Sequence, residues 1–187
     1  ATGLTCADLG SHVGGFVDCL LQKGAARVYS VDTSYGTLAW KLRKDPRVIV
    51  LERTNALHVQ LPESIDLFTI DVGWTPQALI LSSVARMIAA PATSSGGAGC
   101  LSADSFNEPR SGPAPRVVTL IKPHYEAAPE QLQGGVLSDE AADAVVSRVL
   151  TEASSAAWTV HASFVSPLRG HAGNREVFAL LTRRQPY

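Results

Sequence analysis

Asp8-Leu9-Gly10-Ser11-His12-Val13-Gly14-Gly15-Phe16 follows a short apolar run (Leu4, Cys6, Ala7) and leads into a helical pattern carried by Val17, Leu20 and Leu21. Strand, glycine-rich turn and helix in that order form a nucleotide-type cradle. Glycines let the backbone pass close to a ligand, and a helix N-terminus offers free N–H groups. A second apolar run, residues 26–31, ends on Asp32, and an acid at the tip of a second strand suits the two hydroxyls of a ribose. The glycine pattern alone is of low specificity; three later segments give it meaning.

Outward from this turn, apolar runs alternate with helical patterns. Strands are predicted over residues 4–9, 27–32, 48–51, 65–72, 117–121, 158–166 and 176–182, and helices over 13–23, 35–44, 77–89 and 138–153. Gly24 closes the first helix, Pro46 stops the second, and Ser138 and Asp139 can cap the last, with Glu140 and Asp143 near its positive end. Such alternation predicts an α/β fold, a mostly parallel sheet of seven strands with helices on both faces. The last two strands lie close in sequence and read as an antiparallel pair. Residues 91–115 are rich in Ser, Gly and Pro, cannot bury a core, and read as a flexible insertion in a single domain spanning 1–187.

Bulk properties narrow the class. The 187 residues suffice for one domain with a full core, 45% are hydrophobic, and the formal net charge is −1. That balance does not announce a nucleic-acid binder, although a local basic patch can hide in a neutral total. Cys6, Cys19 and Cys100 are too widely spaced for a zinc site and odd in number for a disulfide scaffold; Cys6 and Cys19 read as core residues. No stretch is long and apolar enough to span a membrane and no signal peptide is visible, so the cytoplasm is the default compartment. The chain opens almost on its first core strand, as a fragment, a processed chain or an expressed domain would.

In an open parallel sheet, ligands bind beyond the carboxyl ends of the strands. Asp8 and Gly10 end the first strand, Asp32 the second, Asp71 the fourth and Lys122 the fifth, while Asn55 lies just past the third. A lysine directly after an apolar run either snorkels to solvent or is tuned. Burial lowers a lysine pKa, a nearby carboxylate raises it, and a tuned lysine can accept a proton from a hydroxyl. Glu176 enters a mostly apolar strand, where it needs a partner unless it faces water at an edge.

The blocks Asp8–Leu21, Val31–Asn55 (with Tyr35-Gly36, Trp40-Lys41-Leu42-Arg43 and Glu52-Arg53-Thr54-Asn55), Ile70-Asp71-Val72, Leu120-Ile121-Lys122-Pro123 and Gly173-Asn174-Arg175-Glu176 resemble the haemolysin-A-type branch of the FtsJ-like RNA methyltransferases. The resemblance covers nearly the whole chain outside residues 91–115. It implies a Rossmann-like methyltransferase fold, S-adenosylmethionine as cofactor, and the 2′-hydroxyl of an RNA ribose, in ribosomal RNA or a ribosomal subunit, as acceptor. Asp71, Lys122 and Glu176 match three members of the family's lysine–aspartate–lysine–glutamate tetrad. The first lysine and the small RNA-binding domain that precedes it in the family are not within these residues. Cofactor contacts are implied for Asp8, Gly10, Ser11, Gly14, Gly15, Phe16, Asp32, Thr33, Asn55, Ala56 and Asp71, with no metal.

Gly73-Trp74 and His124-Tyr125 depart from the family pattern but keep aromatic character at Trp74 and Tyr125, able to stack on a base. Arg43, Lys44, Arg53, Arg169, Arg175, Arg183 and Arg184 are candidates for a basic rim, with Arg169 and His171 foremost because they share the strand-end rim with Glu176. His12 faces the cofactor or solvent, and Lys41 solvent or RNA. Two other readings are open: a catalytically silent relative that binds cofactor or RNA, and a nicotinamide-dependent dehydrogenase. The second leaves the Lys122 and Glu176 motifs unexplained.

Overall fold

The computed structural model describes residues 1–89 and 113–184. Seven strands form one sheet: β1 (Thr5–Leu9), β2 (Arg27–Val31), β3 (Val48–Leu51), β4 (Leu67–Ile70), β5 (Arg116–Ile121), β6 (Trp158–Val165) and β7 (Val177–Arg183), in the spatial order β3-β2-β1-β4-β5-β7-β6. β1 to β5 pair in parallel, whereas β7 runs antiparallel to both β5 and β6. The predicted segment 91–115 falls almost entirely on residues outside those described.

Alternate residues of the strands feed two cores. Ala7, Tyr29, Phe68, Val117 and Ala179 pack with α3 (Gln77–Ala89) and α5 (Asp139–Ser155), while Cys6 and Val28 pack with α1 (Gly15–Gln22) and the Leu38–Leu42 region. A sheet buried on both faces is what the period-2 pattern of Cβ directions requires. Ser138 caps α5 by accepting a hydrogen bond from the Ala141 N–H at 3.2 Å. Gly24, at φ +81°, lets its N–H return to the Leu21 carbonyl and end α1.

Several expectations need correction. The helix predicted over 35–44 is reduced to one turn, α2 (Trp40–Arg43). Gly36 is left-handed at φ +73°, its N–H is taken by the Glu52 carboxylate at 2.7 Å, and Ala39 is extended, so an earlier helix start is impossible. The fourth strand stops at Ile70 and the seventh begins at Val177, leaving Asp71 and Glu176 just outside the sheet. Cys19 is exposed rather than in the core; Cys6 is buried. A short helix α4 (Pro123–Glu126), with Pro123 in its first turn, went unpredicted.

Candidate active site

Register explains why distant residues meet. Leu9 pairs with Val31 and with Ile70, so the Gly10 turn, Asp32 and Asp71 emerge side by side. Ile121 pairs with Val177 in antiparallel sense, so Lys122, one residue beyond, comes out next to Glu176, one residue before.

The cradle is backbone-built. Gly10 sits at φ +88°, donates to the Val31 carbonyl at 2.9 Å, and leaves no room for a side chain, because a Cβ there would overlap the Asp71 carbonyl oxygen. Gly14, at φ +99°, is the residue before α1, and a Cβ on it would overlap the Leu42 side chain. A Cβ on Gly15 would meet nothing within 4 Å, so the first turn of α1 opens on free space. Ser11 is buried and its hydroxyl donates to the Asp8 carbonyl at 3.0 Å. Phe16 lies edge-on to Phe178, with ring centroids 6.1 Å apart.

Three carboxylates surround this turn. Asp8 is fully buried, its Oδ1 accepts from the Thr69 hydroxyl at 2.6 Å, and its Oδ2 has no hydrogen-bond partner. Burial pushes its carboxyl up to about 7, against the Thr69 hydrogen bond and the nearby Ser11 hydroxyl, with Asp71 and Asp32 adding to the rise. Asp32 behaves oppositely: burial works against its charge, yet bonds from the Ser34 and His12 N–H groups, both at 2.7 Å, hold it below the ordinary carboxylate range. His12 takes φ +47° to make that bond. Thr33 and Asn55 are exposed beside it and Ala56 is buried; the Asn55 carboxamide oxygen accepts from the Leu57 N–H at 2.8 Å.

Beyond the turn, Lys122 Nζ lies 2.6 Å from Asp71 Oδ1, with both side chains mostly shielded. Glu176 completes the group. Burial raises its carboxyl above the usual range, Lys122 pulls it back down, and Asp71 pushes it up, as expected of charges sharing one pocket. Asp71, Lys122 and Glu176 are therefore brought together beside the cradle. Such a cluster can hold a hydroxyl, orient it and move its proton. Among the described residues, no group of three or more His, Cys, Asp and Glu is arranged to hold a metal ion.

Aromatic side chains flank the pair. Trp74, 84% exposed, follows Asp71 in the β4 loop and lies against Tyr125, which follows Lys122 in α4, with centroids 4.5 Å apart. The His124 ring also packs against Tyr125, with centroids 4.1 Å apart.

The predicted basic rim is only partly available. Arg43 is paired with Glu52, Arg169 with Asp139, and Arg175 with Asp139 and Asp143. Arg184 donates to the Ser154 carbonyl and Arg183 lies over the Trp158 ring. Lys41 is paired with Asp18 at 3.1 Å. Lys44 and Arg53 stay exposed, stacked over Trp40 at 4.8 Å and Tyr35 at 4.3 Å. The His171 side chain lies outside the described residues. Sequence reasoning missed Gly170: a Cβ there would overlap the Glu176 carboxylate, a signal present only in the repeated glycines of Gly170-His171-Ala172-Gly173.

Known proteins resemble this chain over most of its length. The model of the FtsJ-like methyltransferase family matches residues 1–183. The 16S/23S rRNA (cytidine-2′-O)-methyltransferase TlyA of Mycobacterium tuberculosis (strain CDC 1551 / Oshkosh) is 37% identical over 185 residues, covering 96% of this chain and 60% of its own length. Hemolysin A of Brachyspira hyodysenteriae is 28% identical, covering 93% of this chain and 65% of its own. The chain thus spans less than two thirds of these relatives. A solved structure from Lactococcus lactis, named as a hemolysin, superposes with a TM-score of 0.80 at 31% identity, covering 97% of this chain and 78% of that one. The N-methyltransferase NodS of Bradyrhizobium japonicum WM9, in complex with S-adenosyl-L-homocysteine, shares the fold alone, at a TM-score of 0.57 and 12% identity over 98% of this chain and 80% of that one.

Proposed function

This chain belongs to the FtsJ-like methyltransferase family, and we propose that it is the catalytic part of an S-adenosylmethionine-dependent enzyme that methylates ribose 2′-hydroxyls in RNA. Ribosomal RNA in the cytoplasm is the substrate this reading favours, by analogy with the rRNA (cytidine-2′-O)-methyltransferase of Mycobacterium tuberculosis. The observation that carries it is the Asp71–Lys122 ion pair beside Glu176, set against the glycine turn.

The residues of the cradle fit the cofactor. Asp8 presents a buried, unpartnered carboxylate oxygen, and Asp32 a carboxylate held ionised. Acids at this turn suit a cationic sulfonium ligand with a ribose diol, where a pyrophosphate would be repelled. Gly10, Ser11, Gly14, Gly15 and Phe16 would line its methionine side, and Asp32, Thr33, Asn55 and Ala56 its nucleoside side. The cofactor supplies a methyl group already activated by sulfonium charge.

The chain's own residues then have two tasks. They align the acceptor oxygen, a contribution worth several kcal/mol of barrier on the order of effective-molarity estimates. They also remove its proton, worth about a hundredfold or more. Lys122 Nζ, neutral in the reacting state after giving up its own proton to solvent, accepts the hydroxyl proton, Asp71 orients the amine and stabilises the ammonium it becomes, and Glu176 fixes the ribose or a further cationic group. Trp74 and Tyr125 offer ring faces for the base of the target nucleotide. Incubating full-length protein with S-adenosylmethionine and ribosomal subunits, then digesting the RNA to nucleosides, tests the reading. It predicts a 2′-O-methylated nucleoside; a base-methylated product, or none, overturns it.

A further inference from the structure

We propose that Asp139, the first residue of α5, is a positioning residue for Glu176, clamping the loop 169–176 so that the Glu176 carboxylate is held against Gly170. The inference rests on the catalytic reading of Glu176 above.

Asp139 grips the loop at two points. Its two oxygens accept from Arg169, Oδ1 from Nη1 at 3.1 Å and Oδ2 from Nη2 at 2.9 Å, a forked pairing. The same Oδ2 accepts from Arg175 Nη2 at 3.0 Å. Arg169 Nη1 also donates to the Gly173 carbonyl at 3.0 Å, closing the loop on itself. Arg175, next to Glu176, has a second anchor in Asp143 at 2.6 Å. Between them, buried Asn174 accepts from the Leu137 N–H and donates to the Gly135 carbonyl, both at 3.0 Å. Its own carbonyl receives the Gly170 N–H at 2.9 Å.

This bracing sets where Glu176 can go. Its carboxylate lies so close to Gly170 that a methyl there would overlap Oε1 and stand 2.7 Å from Cδ. A partly buried carboxylate gains hydration by swinging outward, and Glu176 stays inside only while the loop is fixed. Asp139 is the one acid among the described residues that pairs with both arginines. The Arg169 pair is largely exposed and Arg175 keeps Asp143 as a second partner, so losing the Asp139 charge costs little stability. Neutralising it should therefore loosen the loop without unfolding the protein.

The test uses full-length protein with Asp139→Asn and Gly170→Ala, which disturb the same carboxylate from opposite sides. The positive-φ constraint that applies to Gly173 is not present at Gly170, and the nearest atoms an alanine there would meet belong to a movable side chain. Two readouts are taken: kcat with ribosomal subunits against pH, and the carboxyl titration of Glu176 followed by carbon-13 NMR without RNA. Expected in both variants are a kcat loss of about tenfold to a hundredfold, unchanged cofactor affinity, and a Glu176 titration shifted toward lower pH as the carboxyl reaches water. The acid limb of the rate profile moves with it. Asp139→Glu should restore part of the rate. An unchanged Glu176 titration in Asp139→Asn overturns the inference, as does full kcat in that variant, whatever Gly170→Ala shows. If the unmodified protein transfers no methyl group, the catalytic reading fails, and the titration still decides whether Asp139 positions Glu176.

Discussion

Lys122 Nζ and Asp71 Oδ1 stand 2.6 Å apart across the tips of two neighbouring parallel strands. Neither side chain reaches the other through its own segment; sheet register sets the distance. Asp71→Asn keeps the shape of this contact and removes its charge. The account predicts a kcat lower by about a hundredfold, with RNA affinity retained. Steady-state kinetics check this, and a kcat within about twofold of the parent would show that the ion pair is incidental.

Asp8 makes cofactor binding depend on pH. With its carboxyl pushed up to about 7 by burial, Asp8 is largely neutral below that pH and ionised above it. A cationic ligand favours the ionised form, so affinity for S-adenosylmethionine rises as pH climbs through this interval and is lost as it falls. Calorimetric titration at about pH 6 and about pH 8 should show binding tighter by up to roughly tenfold at the higher value. Asp8→Asn should flatten the difference; an equal slope in that variant contradicts the assignment.

The same burial makes Asp8 a cost to folding. A carboxyl whose folded pKa is raised favours the native state at acid pH and opposes it as pH rises from the unfolded value toward about 7. Removing the charge should therefore narrow the gap in melting temperature between about pH 5 and about pH 8. Calorimetric melts of the parent and Asp8→Asn at the two values test this, and a gap of the same size in the variant counts against it.

Exposed Trp74 and half-buried Tyr125 form a ring pair beside Asp71 and Lys122 in the chain. Stacking on a base is worth about 1–3 kcal/mol, so Trp74→Ala should raise the RNA KM by about tenfold or more, while Trp74→Phe retains most of the affinity. Cofactor binding should not change. An alanine variant with normal RNA KM would remove the platform from the account.

Gly10 tests the cradle itself. Its φ of +88° and the overlap that a Cβ would make with the Asp71 carbonyl are both backbone constraints. Gly10→Ala should cost on the order of 3 kcal/mol, lowering the melting temperature by about 6–12 °C and abolishing cofactor binding. A normal melting curve would mean that the turn yields more readily than its geometry implies.

How much of this was legible in the chain depends on how far each partner lies. β1, the Gly10–Gly15 turn and α1 follow one another, so glycine placement and apolar period identify them without tertiary knowledge. Helix 35–44 failed because the Glu52 carboxylate, supplied after β3, takes the Gly36 N–H and the Arg43 guanidinium and holds the segment open. Glu176 could be named from its motif, yet its approach to Lys122 needed the antiparallel register of β5 and β7. Arg169 read as a cation for RNA because its partner Asp139 lies 30 residues away, at the start of α5. Trp74 and Tyr125 were each visible as aromatic; their contact was not, since it joins the loop after β4 to the short helix after β5.

The most direct measurement is single-turnover methyl transfer by full-length protein carrying Lys122→Met, with saturating cofactor and ribosomal subunits. Methionine keeps much of the side-chain length and loses the proton-accepting nitrogen that lies 2.6 Å from Asp71. The account predicts a rate at least about a hundredfold below the parent, with S-adenosylmethionine affinity preserved. A variant that transfers methyl groups at close to the parent rate would contradict Lys122 as the base, and with it the central claim.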